Sequence, residues 1–132
     1  MAGLRDVVVD ARHAVTLARF WEAVLDSHRL AEIPGALLAW WAEEGVEPED
    51  APQIPLDPIE PGGLRIWFNT VADPTPGKNR LHLDVNLTSP EEVDRLLALG
   101  ATVVSPPEQH AKRWWILADV EGNQFCAFPP EG

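Results

Sequence analysis

The chain has 132 residues, 45% of them hydrophobic and 23% charged, an ordinary globular balance that suits one domain able to bury its own core. Ten Lys and Arg against 21 Asp and Glu leave a formal charge of -11, a surface that repels phosphate backbones and anionic membranes, so nucleic acid is not an expected partner. No run of about 18 apolar residues is present and the N-terminus lacks a secretory pattern, so neither a membrane span nor export is expected. A single cysteine, Cys126, rules out an intramolecular disulfide and fits a cytoplasmic location.

In chain order, RDVVVDA reads as a strand from its β-branched residues. Leu17, Phe20, Trp21, Val24 and Leu25 then recur at spacings of three and four, which predicts an amphipathic helix. ALLAWWAEE, residues 36–44, is expected to be a strand, with a short helix as the alternative. Residues 43–63 are rich in proline and acid, and the expectation is a long surface loop with no regular helix or central strand. LRIWFNTV alternates and predicts a strand, and ADPTPGK is a turn-rich linker at 72–78. KNRLHLDV leads into the next strand. There Leu81, Leu83 and Val85 should share one face and His82 and Asp84 the other. After it, Ser89 is placed as a helix cap, Pro90 at the first helical position and Glu92 as the capping-box partner. Val93, Leu96 and Leu97 form the stripe of that helix, and Gly100 ends it. ATVVS, WWILA and QFCAF read as strands, PPEQHAKR as a loop and DVEGN as a hairpin turn without chemistry.

The order repeats. Shifted by 76 residues, Asp6 falls on His82, Leu17 on Val93, Arg19 on Arg95, Phe20 on Leu96 and Trp21 on Leu97, with no gap through the helix stripes. Two βαβββ modules, about 4–71 and 80–129, account for this most simply.

Four stretches, VVVDARHAVTLARFWEAVL, LRIWFNTV, KNRLHLDV with EEVDRLLALGATVV, and WILADVEGNQFCAF, together resemble the vicinal oxygen chelate superfamily. That superfamily includes glyoxalase I, bleomycin-resistance proteins and extradiol dioxygenases, and the chain is most similar to its small glyoxalase-like domains. The resemblance implies an α+β fold spanning residues 1–132 as one domain. In it, two βαβββ modules form a curved, incomplete barrel-like mixed sheet with helices outside and a ligand on the concave face. It also implies that Leu81, Leu83 and Val85 pack on the second module's helix while His82 and Asp84 look into the cavity. Metal-using relatives carry ligands on four strands. The matching positions here hold Asp6, His82, Cys126 and an apolar stretch around Ile66, Trp67 and Phe68. No metal is therefore assigned; if one binds, the set would be Asp6, His82 and Cys126, with Zn, Fe, Ni or Mn as candidates.

The leading expectation is a small organic ligand held in a Trp-lined cavity, with Trp67, His82, Trp114, Trp115 and Cys126 as its contacts. Trp67 is the strongest of these, because it shares the alternation of Arg65 and Asn69. The alternative is a metal-dependent lyase, isomerase or dioxygenase, or a metal-free enzyme using His82 and Asp84 as an acid–base pair. A third reading is a structural or regulatory module whose tryptophans fill its own core. Each residue has a plainer role: a half-buried strand histidine, a carboxylate bonded to the next strand, a packed thiol. Lys78, Asn79 and Arg80 would pair loosely with loop acids, or anchor an anion. His13, His28 and His110 are read as structural or solvated. The resemblance also implies a homodimer.

Overall fold

The computed structural model describes residues 4–74, 81–109 and 113–130. The chain divides into two compact units, Met1–Pro74 and Thr75–Gly132. The basic patch Lys78, Asn79 and Arg80 and the loop histidine His110 lie outside the described residues.

The first unit runs β1 (Asp6–Ala11), α1 (Ala14–Val24), β2 (His28–Leu30), α2 (Gly35–Glu43), a 3-10 turn (Pro48–Asp50), β3 (Gln53–Pro58) and β4 (Arg65–Thr70). Its sheet order is β1-β4-β3-β2. β1 lies parallel to β4, so the chain must cross over between them, and α1 begins that crossing. Alternation sorts the sheet's two faces. Ile54, Leu56, Ile66 and Phe68 are buried on one face, beneath the α1 stripe of Leu17, Phe20, Trp21 and Val24. Arg65, Trp67 and Asn69 point to the other face. His13 caps α1, its Nδ1 accepting from the Thr16 amide, while its Nε2 lies 3.0 Å from Asp50 Oδ1.

The second unit runs β5 (Asp84–Asn86), α3 (Glu92–Ala98), β6 (Thr102–Ser105), a 3-10 turn (Pro107–Gln109), β7 (Trp115–Ala118) and β8 (Gln124–Phe128). Its sheet order, β5-β8-β7-β6, repeats that of the first, again with the opening strand parallel to the closing one. The fold is therefore α+β, built from two βαβββ modules. The repeat extends to register: Val8 pairs with Trp67, Asp84 pairs with Cys126, and the shift that carries Asp6 onto His82 carries Val8 onto Asp84.

Four local expectations are corrected. The stretch 36–44, expected as a strand, falls in the helix α2 (Gly35–Glu43) and its C-cap Glu44, the alternative reading. Ala and Leu favour helix, and a run apolar on every side has no period with which to declare itself. Only Trp41 of α2 is buried, leaving Trp40 56% exposed.

The proline-rich stretch contains β3, which lies inside the sheet between β2 and β4. It is tolerated because each proline's missing N–H falls beyond a neighbour's pairing. Pro55 carbonyl accepts from the Ala31 amide, so its nitrogen faces the same side, just past the end of β2. Pro58 lies past the last β3–β4 pair, Leu56 with Ile66.

Leu81 is 85% exposed and regular pairing starts at Asp84, so of the three apolar residues only Val85 reaches the core. The Leu83 carbonyl does extend the ladder, accepting from the Cys126 amide.

α3 starts at Glu92 rather than Pro90, and Ser89 makes no side-chain cap. Thr88 takes that part: its amide and hydroxyl both donate to Glu92 Oε2. Gly100, with φ +114, closes the helix; the Gly100 amide bonds to Leu97 and the Ala101 amide to Leu96, the paired bonds of a Schellman end.

The Thr88 amide, then the Arg95 guanidinium, hold the Glu92 carboxyl below its ordinary pKa. A depressed carboxyl stabilises the fold above its unfolded pKa, and that contribution is lost as pH falls through the folded value. Glu92→Gln is thus expected to flatten the acid limb of stability, seen as a smaller loss of melting temperature between about pH 5 and 3. An unchanged acid limb would contradict the assignment.

Candidate functional site

On the open face of the first module, five side chains form one chain of contacts. Asp57 Oδ1 accepts from Arg65 Nε at 2.7 Å. The Arg65 guanidinium lies over the Trp67 ring, 5.6 Å from its centroid. Trp67 Nε1 donates to Asp6 Oδ2 at 3.1 Å, and Arg5 approaches that same oxygen at 3.5 Å. The strands dictate this grouping. Arg65 and Trp67 alternate on β4, Asp6 stands on parallel β1, and Asp57 comes from antiparallel β3. Two residues beyond Trp67, Asn69 has its side-chain oxygen buried without a hydrogen-bond partner, which costs about 1–3 kcal/mol unless something donates to it.

Beside this network runs a groove of about 1100 Å³. Arg65, Trp67, Pro55 and Asp57 border it from the sheet, and Leu37 and Trp40 border it from α2. The sequence reading placed Trp67 here. It missed Trp40 and Leu37, because it expected a strand where α2 stands. The available signal was the pairing of a Pro-Gly helix entry, Pro34-Gly35, with seven apolar residues too uniform to alternate.

The second module carries a different group. His82 Nδ1 lies 2.9 Å from Asp84 Oδ1, and the donor atoms of His82, Asp84 and Cys126 all fall within 4.8 Å of one another. His82 and Asp84 are exposed and Cys126 is half-buried. The parallel pairing of Asp84 with Cys126 brings the thiol beside the carboxylate. Trp114 stands against Phe128, ring centroids 5.1 Å apart. Phe128 shares the Cys126 face of β8, whereas Trp115 pairs with buried Ala127 and so belongs to the opposite, core-side face. Asp6, the other expected metal ligand, stands on β1 of the first module, where its Oδ2 accepts from Trp67 Nε1.

The trio suits a divalent cation in donor type, with imidazole, carboxylate and thiolate all zinc ligands. Donors on one tetrahedral ion stand roughly 3.3–3.8 Å apart, so the 4.8 Å spread must close slightly and the His82–Asp84 contact must open.

Solved structures share this architecture along nearly the whole chain. A glyoxalase/bleomycin resistance protein/dioxygenase family enzyme from Burkholderia phytofirmans PsJN is 22% identical with a TM-score of 0.59, over 96% of this chain and 97% of that one. A glyoxalase/bleomycin resistance protein from Albidiferax ferrireducens T118 is 19% identical with a TM-score of 0.56, over 97% and 98%. TioX from Micromonospora sp. ML1 is 16% identical with a TM-score of 0.54, over 96% and 97%. At such identities the likeness shows the fold alone. The profile of the Glyoxalase-like domain matches residues 6–128, and the chain belongs to that family. No curated protein matches the chain.

Proposed function

We propose that this protein binds a small, flat organic molecule in the first-module groove, working as a single glyoxalase-like domain in the cytoplasm and as a homodimer. The observation that carries the reading is the groove itself: about 1100 Å³, bordered by three indoles, Trp40, Trp41 and Trp67, and by a few polar groups. Concave sites of this make-up are the usual form of small-molecule pockets. Trp40 is 56% exposed, an apolar surface that a flat ligand would cover. Among the described residues, no helix is long and apolar enough to cross a membrane.

The neutral fluorophore N-phenyl-1-naphthylamine tests this. Saturable, equimolar fluorescence enhancement is expected, weakened about tenfold or more by Trp40→Ala or Trp67→Leu, since a stacked indole contributes about 0.5–1.5 kcal/mol beyond its area. Binding untouched by both substitutions would contradict the reading.

A second reading, a metal-dependent lyase, isomerase or dioxygenase, is favoured by the His82, Asp84 and Cys126 cluster. These residues would hold the ion, which would supply Lewis-acid chemistry to an oxygen ligand. His82 and Asp84 could otherwise move a proton between them at Nδ1. Elemental analysis after loading with divalent ions separates the readings. Stoichiometric metal, lost in His82→Ala, supports the enzyme. The binding reading expects fluorophore affinity to be unchanged by chelator and by His82→Ala, because none of the trio is among the residues bordering the groove.

A further inference from the structure

We propose that the first-module groove selects planar organic cations, and that Arg65 is an internal stand-in for the cation. This rests on the groove reading above. An aromatic face backed by a carboxylate is the pair of groups that recognises an organic cation. Both are present at the groove, and both already hold one: the Arg65 guanidinium lies 5.6 Å from the Trp67 ring centroid and its Nε is 2.7 Å from Asp57 Oδ1. The ring is fixed from its other end, where Nε1 donates to Asp6.

Arg65 can leave. Its side chain is 42% exposed, its partner Asp57 is 34% exposed, and ion pairs so open to water contribute little. Its long stem can swing the guanidinium into solvent while keeping its methylenes on the sheet. The place it leaves would keep an indole face and a carboxylate side by side, with Glu32 also at the groove. The surrounding field points the same way. Residues 1–74 hold thirteen of the 21 acidic residues but only five of the ten basic ones, so this module concentrates cations and repels anions. An anionic ligand would have to overcome that field and either draw Arg65 from Asp57 or rely on Arg29, the other basic residue at the groove.

The test titrates three flat bicyclic probes by calorimetry at pH 7.5: N-methylquinolinium, neutral quinoline and anionic 2-naphthoate. The cation is expected to bind about tenfold tighter than quinoline, and naphthoate weakest, in line with a desolvated cation–ring contact. Arg65→Gln removes the internal competitor and is expected to tighten N-methylquinolinium several-fold. Asp57→Asn is expected to weaken it several-fold, with quinoline changed by less than twofold in both. Circular dichroism of each variant shows whether the fold is kept, and Arg65→Lys, which retains a competing cation, should stay near wild type. Tightest binding of naphthoate, abolished in Arg65→Gln, would overturn the inference and make Arg65 an anion anchor. Equal binding of all three would overturn it while leaving the groove reading intact. Binding of none would overturn both.

Discussion

Phe68→Ala is expected to lower stability by about 3–5 kcal/mol, a large fraction of the roughly 5–15 kcal/mol of a typical domain. Phe68 has no exposed surface. It sits on β4, between β1 and β3, paired with Val9 on one side and Ile54 on the other. Its ring fills the face against which α1 packs, beside buried Leu56 and Ile66. Truncation leaves a ring-sized void in a close-packed layer whose neighbours are held by strand register and can collapse only partly. Urea unfolding followed by near-ultraviolet circular dichroism should show the midpoint falling steeply. Phe68→Leu, which keeps most of the volume, should recover more than half of the loss. A change below about 1 kcal/mol would mean that the layer is not packed as described.

Asp119→Ala should cost about 2–3 kcal/mol, for a different reason. Asp119 is the only buried charged or polar residue among the described residues, at 4% exposure. Its Oδ1 accepts from the amides of Glu121 and Asn123 at 2.9 and 3.0 Å, and so clamps the turn that joins β7 to β8. Gly122, at φ +88, supplies the left-handed step of that turn. Removing the carboxylate strands two amide donors. Asp119→Asn keeps a side-chain oxygen and should restore roughly half of the stability, a rescue that a purely volumetric role would not show. Equal losses in the two variants would contradict the clamp. The sequence reading took DVEGN for a simple hairpin turn, because a carboxylate beside glycine looks solvated until its burial is known.

Periodicity and repetition made most of the fold legible. The α1 stripe, the alternation of β4, the overlay of Leu17 and Phe20 on Val93 and Leu96 and the Gly100 stop are patterns of spacing, and each stands in the structure as read. The errors fell where local rules are overridden by neighbours. Pro55 and Pro58 seemed to forbid a strand, yet the partner strands end where their donors would be missed. The residues of α2 carry no period, so the helix that brings Leu37, Trp40 and Trp41 to the groove stayed hidden. Of the expected site residues, Trp67 borders the groove in the first module, and His82, Asp84 and Cys126 assemble in the second, where Trp114 stands against Phe128. Trp115 turns to the core side, which alternation alone could not decide between adjacent tryptophans.

The most direct test of the central claim is the set of six indole N–H signals in a proton–nitrogen correlation spectrum, recorded while N-methylquinolinium or N-phenyl-1-naphthylamine is added. The account predicts that the Trp40 and Trp67 signals move together and saturate, with the Trp67 proton a sensitive reporter because it is shared with Asp6. The Trp114 and Trp115 signals should stay still. Shifts confined to Trp114 and Trp115, or no shift at any indole, would place the ligand elsewhere and contradict the account.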